Sequence, residues 1–410
     1  MREQVLAFLE TGVAAAAPGS AVSRAMPDLL RDPLDRDGCW HVIAVGKAAR
    51  AMAVAALEAL SGTVTGHVLV VTNAGNDSAL DGVRVLRAGH PEPDEDGLRA
   101  AEAVAQVLQH ARPQDRVLAL ISGGGSAMLP APVPGLHLDD LRRVNGLLLA
   151  SGADITQVNL VRQALDGLKG GGWSRLSGAP LCALILSDVP GDDLRVVASG
   201  PTVAPIGTPA EAAHLCRQLG IWDQLSERVQ QAMTAPVPAA APPAQNILVG
   251  SNTQSVAAMV AAGALDGGVP LQGDVADCAR ALVAVVRDAA PGQALVFGGE
   301  TTVQLKGDGM GGRNQELALR FACEARAAGL QGPWAFAAMG SDGRDGPGDA
   351  AGGLVFPDTL DRIRAAGIDP ADALARNDST PTLAAADGLI MTGASGTNVA
   401  DLAVFLRPPA

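Results

Sequence analysis

The feature that most constrains this chain is a recurring couplet. A short apolar run stops at a glycine-rich loop, and an Ala/Leu-rich amphipathic stretch follows. Apolar runs without polar alternation are strands buried on both faces, and the stretches between them have the length of crossover helices. The couplets predict an α/β protein: two α/β domains with mostly parallel sheets and an active-site cleft between them. Strands are expected at 41–45, 67–71, 116–121, 181–186, 246–249, 294–297, 334–339 and 389–392. Helices are expected at 47–60, 94–110, 139–150, 155–168, 211–219, 253–262, 274–288 and 314–327. An Ala/Pro stretch holding Pro236, Pro238, Pro242 and Pro243 can neither continue a helix nor join a central strand. It divides the chain into an N-terminal domain at 1–235, a linker at 236–245 and a C-terminal domain at 246–410. A length of 410 residues suits two cores better than one.

Composition removes several classes of partner. A net charge of −13 argues against nucleic acid. With 2% aromatic residues and no tyrosine, stacking platforms for bases are not expected. The five cysteines are scattered without a C-x-x-C pair, which reads as a reducing cytoplasm with thiols used as small core residues. The Ala14–Ala17 run follows Glu3 and Glu10 and lacks a long apolar stretch, so a signal peptide is not expected. No segment reaches the roughly 20 apolar residues of a membrane span. A cytoplasmic monomer or homodimer acting on small molecules is the expectation.

In open α/β sheets ligands bind beyond the carboxyl ends of the strands, and the loops there hold the unusual chemistry. Ser122-Gly123-Gly124-Gly125-Ser126 offers successive unhindered amides, a pattern that cradles anionic oxygens or simply makes a tight turn. Gly46-Lys47 leaves a strand and opens a helix, placing a point charge suited to phosphate or carboxylate. It is not a Walker A motif, because His41 stands at the first glycine and Ala48 at the Ser/Thr. Asp188, Asp192 and Asp193 share one loop; clustered carboxylates favour a hard cation such as Mg²⁺. Asp188, at the strand end, is the preferred ligand or base, while Asp192 and Asp193 suit a turn cap equally well. His90, in Gly89-His90-Pro91, reads first as a structural loop residue.

The densest patch runs from Glu300 through Gly307-Asp308-Gly309-Met310-Gly311-Gly312-Arg313-Asn314. Gly307, Gly309 and Gly312 match G-x-G-x-x-G, yet no acidic residue sits about 20 positions on to hold a ribose. A flexible loop ending at a helix N-terminus, with Arg313 as a fork for carboxylate or phosphate, is the better reading. Asp342, Asp345 and Asp349 alternate with glycines but lack EF-hand spacing. Positioned cations, carboxylates for Mg²⁺ and backbone donors are the parts that phosphoryl transfer requires.

Taken in order, these strings resemble the glycerate 2-kinase family, whose C-terminal part is called the MOFRL domain. The likeness spans nearly the whole chain. It is carried by Val45-Gly46-Lys47-Ala48-Ala49, Gly89-His90-Pro91, Leu120 to Ala127, Leu186-Ser187-Asp188-Val189 and Ser199-Gly200-Pro201-Thr202. It continues through Gly298-Gly299-Glu300-Thr301, Gly311 to Glu316, Asp342 to Gly352, Arg376-Asn377-Asp378-Ser379 and Thr397 to Leu402. The MOFRL region would cover about 293–405. The resemblance implies that D-glycerate and ATP become 2-phosphoglycerate and ADP with Mg²⁺, and it puts the family's important lysine and arginine on Lys47 and Arg313.

In the resulting scheme Lys47, Asp188 and Arg313 are catalytic. Ser122, Gly123, Gly124, Gly125, Ser126, Arg162, Glu300, Asn314, Asp342 and Asp345 bind substrate or phosphates, with Arg313 and Arg162 taking the substrate carboxylate. Asp188, Asp342 and Asp345 serve Mg²⁺, and the domains close on binding. The chain departs from the family at Gln163-Ala164-Leu165-Asp166, where Lys-His-Leu-Ser is usual, so a related 2-hydroxy acid is an alternative substrate. The rival activity is NAD(P)H-dependent reduction of hydroxypyruvate, which needs a dinucleotide site.

Overall fold

Trp40–Val45 and Leu181–Leu186 are buried along their whole length and Arg116–Ile121 all but at Arg116, as strands are when helices cover both faces of a sheet. They belong to a computed structural model that describes residues 1–409 and divides the chain into two units. The first unit comprises residues 18–187 and 192–249; the second comprises residues 1–17, 188–191 and 250–410.

The sheet of the first unit uses β1 (Trp40–Val45), β2 (Thr65–Thr72), β3 (Arg84–Arg87), β4 (Arg116–Ile121), β5 (Leu181–Leu186) and β6 (Gln245–Gly250), in the spatial order β3-β2-β1-β4-β5-β6. Strands β1 to β5 pair in parallel. The chain leaves β1 toward β2 and β3, then returns to the other side of β1 as β4. The topological switch point therefore lies between β1 and β4, whose ends are level at Val45 and Ile121. The strand β6, expected to open the C-terminal domain, instead completes this first sheet. Three helices, Leu138–Ala150, Ile155–Leu165 and Pro209–Gln218, pack into a separate core around Leu148, Val161, Leu165 and Cys216. Capping boxes at Asp154 with Gln157 and Thr208 with Glu211 start the last two.

The second unit holds β7 (Leu265–Asp266), β8 (Leu271–Asp274), β9 (Ala294–Thr302), β10 (Ala335–Gly340), β11 (Gly352–Val355), β12 (Leu389–Ile390) and β13 (Asp401–Leu406). Its order is β12-β11-β10-β13-β9-β7, with β8 also on β9. The expectation of a mostly parallel sheet fails here. Only β7 and β8 run parallel to β9, while β9, β13, β10, β11 and β12 are joined in antiparallel pairs. The cause is β13, which inserts antiparallel between β9 and β10 and leaves those two strands parallel to each other across the helix Arg313–Ala327. A fully buried apolar strand carries no mark of its direction, so periodicity could not reveal this.

One face of this sheet packs an aromatic group in which Phe321 and Phe336 stack at 3.9 Å with Trp334 and Phe405 beside them. The other face is covered by the N-terminal helix Arg2–Ala15, whose Val5 and Leu9 are buried with Val296 and Val404. The first seventeen residues thus belong to the second unit rather than to the domain that follows them. Among the described residues no single helix is long and apolar enough to cross a membrane.

Candidate active site

At the switch point the backbone is crowded in a way only glycine permits. Gly46 has φ +113°, and a Cβ there would lie 2.3 Å from the Ser122 hydroxyl. The Lys47 amide donates to the Gly123 carbonyl at 3.0 Å, and the Ala48 amide donates to Ser122 Oγ at 3.1 Å. Ser122 Oγ in turn donates to the Val45 carbonyl at 3.1 Å. The two turns are thereby laced together, which places Ser122 inside the scaffold. The Lys47 side chain is exposed, and the glycines after Ser122 lead into the short helix Gly125–Met128. His90 stands against this turn, 3.0 Å from where a Gly124 Cβ would be. Burial, and then the Lys47 charge, hold its pKa below the ordinary histidine value, so it is neutral near pH 7.

Behind the turn, Ser126 Oγ and Ser199 Oγ are 2.6 Å apart, and Ser199 donates to Asn159 Oδ1 at 2.5 Å. Ala198 and Ser199 both have positive φ, at 48° and 61°, a strained conformation held by these contacts. Next to Ser126 opens a cavity of about 60 Å³ whose polar lining includes Arg162, Asn145, Asp166 and Lys169. Lys169 Nζ lies 2.5 Å from Asp166 in a buried pair. Arg162 has only the neutral Asn145 Oδ1, which accepts from its Nε at 3.0 Å and from Nη2. Burial pulls the guanidinium pKa down, with the nearby Asp166 charge opposing.

The departing segment turns out to be structural. Gln163 is buried; its amide donates to the Arg195 and Ser199 carbonyls at 2.9 and 3.1 Å, and its oxygen accepts from the Ile206 amide at 2.8 Å. Asp166 accepts from the Ala131 and Leu168 amides at 3.0 Å each, besides pairing with Lys169.

The second unit presents the opposite arrangement at Arg313. Asp401 takes its Nε at 2.6 Å and its Nη2 at 3.0 Å, while Glu300 takes Nη1 at 2.7 Å. Burial works against the charge, but Asp401, Glu300 and Asp345 outweigh it and hold the guanidinium pKa above its ordinary value. Asp401 is 1% exposed, and burial pushes its carboxyl up to about 6 against the pull of Arg313. The side chain of Arg313 keeps about a third of its surface open, 36%.

Asp345 was expected among the Mg²⁺ ligands, but its carboxylate is committed to the start of the helix Arg313–Ala327. One oxygen accepts from the Asn314 amide and side chain at 3.0 and 3.2 Å; the other accepts from the Gln315 amide and side chain at 2.8 and 3.1 Å. Gly312 is required there, since a Cβ would come within 2.3 Å of Asp345. Asn314 and Glu316 are buried, and neither faces solvent as a ligand would need. Asp342 is half-buried with one oxygen accepting from the Arg344 amide at 3.0 Å, and Asp188 is half-buried after β5. Asp193 is bound bidentately by Arg195, whose hydrogen bonds lower its pKa, so it makes a turn.

The G-x-G-x-x-G loop is pinned to protein rather than shaped for a pyrophosphate. A Cβ on Gly307 or Gly309 would strike the backbone of Arg376 at 2.5 Å. Asn377 Oδ1 accepts from the Lys306 amide at 2.7 Å, and Asp378 accepts from the Met310 amide at 2.9 Å. A second cluster, Cys39, His41 and Asp115, has metal-like residue types at the opposite end of the first sheet. His41 Nδ1 accepts from the His67 amide at 3.1 Å, so its proton sits on Nε2 and no lone pair faces the cluster. Asp115 is held well below the usual carboxylate range by Arg112.

No site role for Asp401 or Asn145, and no ion pair between Asp166 and Lys169, was expected from the sequence. Asp401 alone had a signal: it is a lone carboxylate at the head of the apolar run Leu402–Leu406. Asn145 is one polar residue on an ordinary amphipathic helix and carries none.

Comparison with known proteins fits this geometry. Residues 4–234 match a domain described only as of unknown function, and residues 293–401 match the MOFRL family. D-glycerate 2-kinase of Thermotoga maritima is 34% identical, the match covering 99% of this chain and 98% of that one. A protein of Agrobacterium vitis provisionally named hydroxypyruvate reductase is 39% identical over 99% of this chain and 94% of its own. The crystal structure of glycerate kinase from Thermotoga maritima superposes with a TM-score of 0.88 at 35% identity, covering 98% and 97% of the two chains. Two α/β units, one carrying a glycine turn at its switch point and the other a braced arginine, define the class of protein. The chain belongs to the glycerate 2-kinase family.

Proposed function

We propose that the chain transfers the γ-phosphoryl group of ATP to the 2-hydroxyl of D-glycerate, giving 2-phosphoglycerate and ADP. The observation that carries this reading is the switch point, where the exposed Lys47 and the glycine turn Gly123–Gly125 occupy the position that binds phosphates in sheets of this order. The same strand order also serves dinucleotides, but the features a dinucleotide needs are missing. The turn after β1 reads Gly46-Lys47-Ala48, and β2 ends at Thr72 and Asn73, with no acid for a ribose. The one G-x-G-x-x-G string is filled by Arg376–Asp378.

Phosphoryl transfer passes through a loose transition state with charge spread over the phosphoryl oxygens, so catalysis rests on positioning and fixed charge. Lys47 and the amides of the glycine turn hold phosphate oxygens. Arg313, locked by Asp401 and Glu300, supplies a positive charge that needs no reorganisation as the reaction proceeds. Asp188 and Asp342 are half-buried hard oxygen donors of the type Mg²⁺ takes, and Asp345 positions Asn314 and Gln315 instead. Bound Mg²⁺ neutralises phosphate charge. The free thiols of all five cysteines suit a reducing compartment, which favours the cytoplasm.

The test measures ADP release dependent on D-glycerate, with hydroxypyruvate and NADH or NADPH assayed in parallel. Glycerate-dependent ADP release is expected. Oxidation of NAD(P)H without ADP release would replace the kinase reading by the reductase.

A further inference from the structure

Buried arginines in folded proteins are ordinarily matched by carboxylates, because a desolvated cation without a counter-charge is costly. Arg162, half-buried, lacks such a match. Its Nε and Nη2 both converge on one neutral oxygen, Asn145 Oδ1, and its Nη1 makes no hydrogen bond among the described residues. Asp166, the nearest carboxylate to act on it, already neutralises the buried Lys169 and caps two backbone amides. The charges around this cavity therefore sum to one uncompensated positive charge.

The cavity is lined by the polar residues Arg162, Asn145 and Ser126 and by the apolar residues Leu141, Val144 and Pro130. Its volume of about 60 Å³ corresponds to roughly four to six water molecules, which admits a carboxylate and adjoining carbons but not a long chain. Ser126 belongs to the glycine turn at the switch point, so the cavity is continuous with the residues assigned to the phosphates.

We propose that this cavity is the receptor for the substrate carboxylate, with Arg162 and Asn145 as its donors and Leu141 and Val144 limiting the acid to a short chain. The inference rests on the kinase reading for the identity of the acid. It moves the carboxylate from Arg313, each of whose three nitrogens already meets a carboxylate, to Arg162, whose nitrogens meet none.

The experiment compares wild type, R162M and R162K with D-glycerate and with uncharged glyceramide. In R162M the KM for D-glycerate should rise by about 30-fold or more, with the KM for ATP and the melting temperature little changed. The preference for glycerate over glyceramide should collapse, and R162K should restore part of it. V144A should widen the cavity and improve turnover of a four-carbon 2-hydroxy acid relative to glycerate. Calorimetric titration of D-glycerate without ATP is run on the same proteins, which separates this claim from the kinase reading. Binding to wild type at least tenfold tighter than to R162M supports the receptor whether or not phosphoglycerate forms. Equal binding, or an unchanged preference for glycerate over glyceramide, overturns it.

Discussion

Arg313 and Arg162 carry the same guanidinium at helix positions in different units, and the chain surrounds them in opposite ways. Two carboxylates take three nitrogens of Arg313, while a single neutral amide oxygen serves Arg162. A cation saturated by its own protein is held still and offers a fixed field; a cation left short of acceptors is arranged for a ligand to complete. Equal conservation of residue type would hide this difference, and only the partners reveal it.

The largest effect should come from unbracing Arg313. D401A leaves that cation paired with Glu300 alone and should lower stability, read by urea denaturation, with kcat/KM reduced at least a hundredfold. Little change in either would show that the brace is incidental. The converse change makes Arg162 resemble Arg313: N145D supplies an internal carboxylate where the neutral oxygen now stands. It should raise the KM for D-glycerate about tenfold while leaving the melting temperature unchanged or higher, and an unaltered KM would erase the contrast between the two arginines.

The brace also predicts a pH dependence. With the Asp401 carboxyl raised to about 6, acidification through that value protonates it and removes its charge from Arg313. The profile of kcat/KM should fall on the acid side near pH 6, and D401N should lack that limb. For stability the sign is opposite. A folded pKa above the ordinary carboxyl value contributes stability that is fully present below about 3.9 and is lost as pH rises through about 6. Melting curves of wild type and D401N between those values should diverge accordingly.

Smaller effects separate scaffold from site. Q163A removes a buried amide bonded to three backbone groups and should lower stability by about 1–3 kcal/mol without changing the KM for glycerate. K47M withdraws the charge that helps depress His90, so the His90 pKa should move upward in an NMR titration. An unmoved His90 would place the lysine charge elsewhere.

Five of the six strands of the first sheet were legible because each holds an apolar run ending at a polar or glycine-containing loop, as in Val42–Val45 before Gly46; the short Arg84–Arg87, with an arginine at each end, was not. The second sheet was legible only in part. Asp401–Leu406 is its most informative strand, yet it begins in a polar loop and follows no helix, so the alternation that signals a parallel unit passes over it. The candidate site divides the same way. Lys47, the glycine turn and Arg313 announce themselves by residue type and position after a strand. Asp345 looked like a ligand because a carboxylate between glycines does, and its actual partners, the Asn314 and Gln315 amides, lie about thirty residues earlier in the sequence. Gln163 looked like a change of substrate for the same reason: the sequence names a residue, and only the fold supplies the carbonyls it meets.

Phosphoryl transfer to one particular hydroxyl is read out by ³¹P NMR of the product from D-glycerate, ATP and Mg²⁺. A single ester resonance, that of 2-phosphoglycerate, is expected together with ADP. A 3-phosphoglycerate resonance in its place would contradict the assignment of the 2-hydroxyl, and no ester alongside NAD(P)H-dependent loss of hydroxypyruvate would contradict the kinase itself.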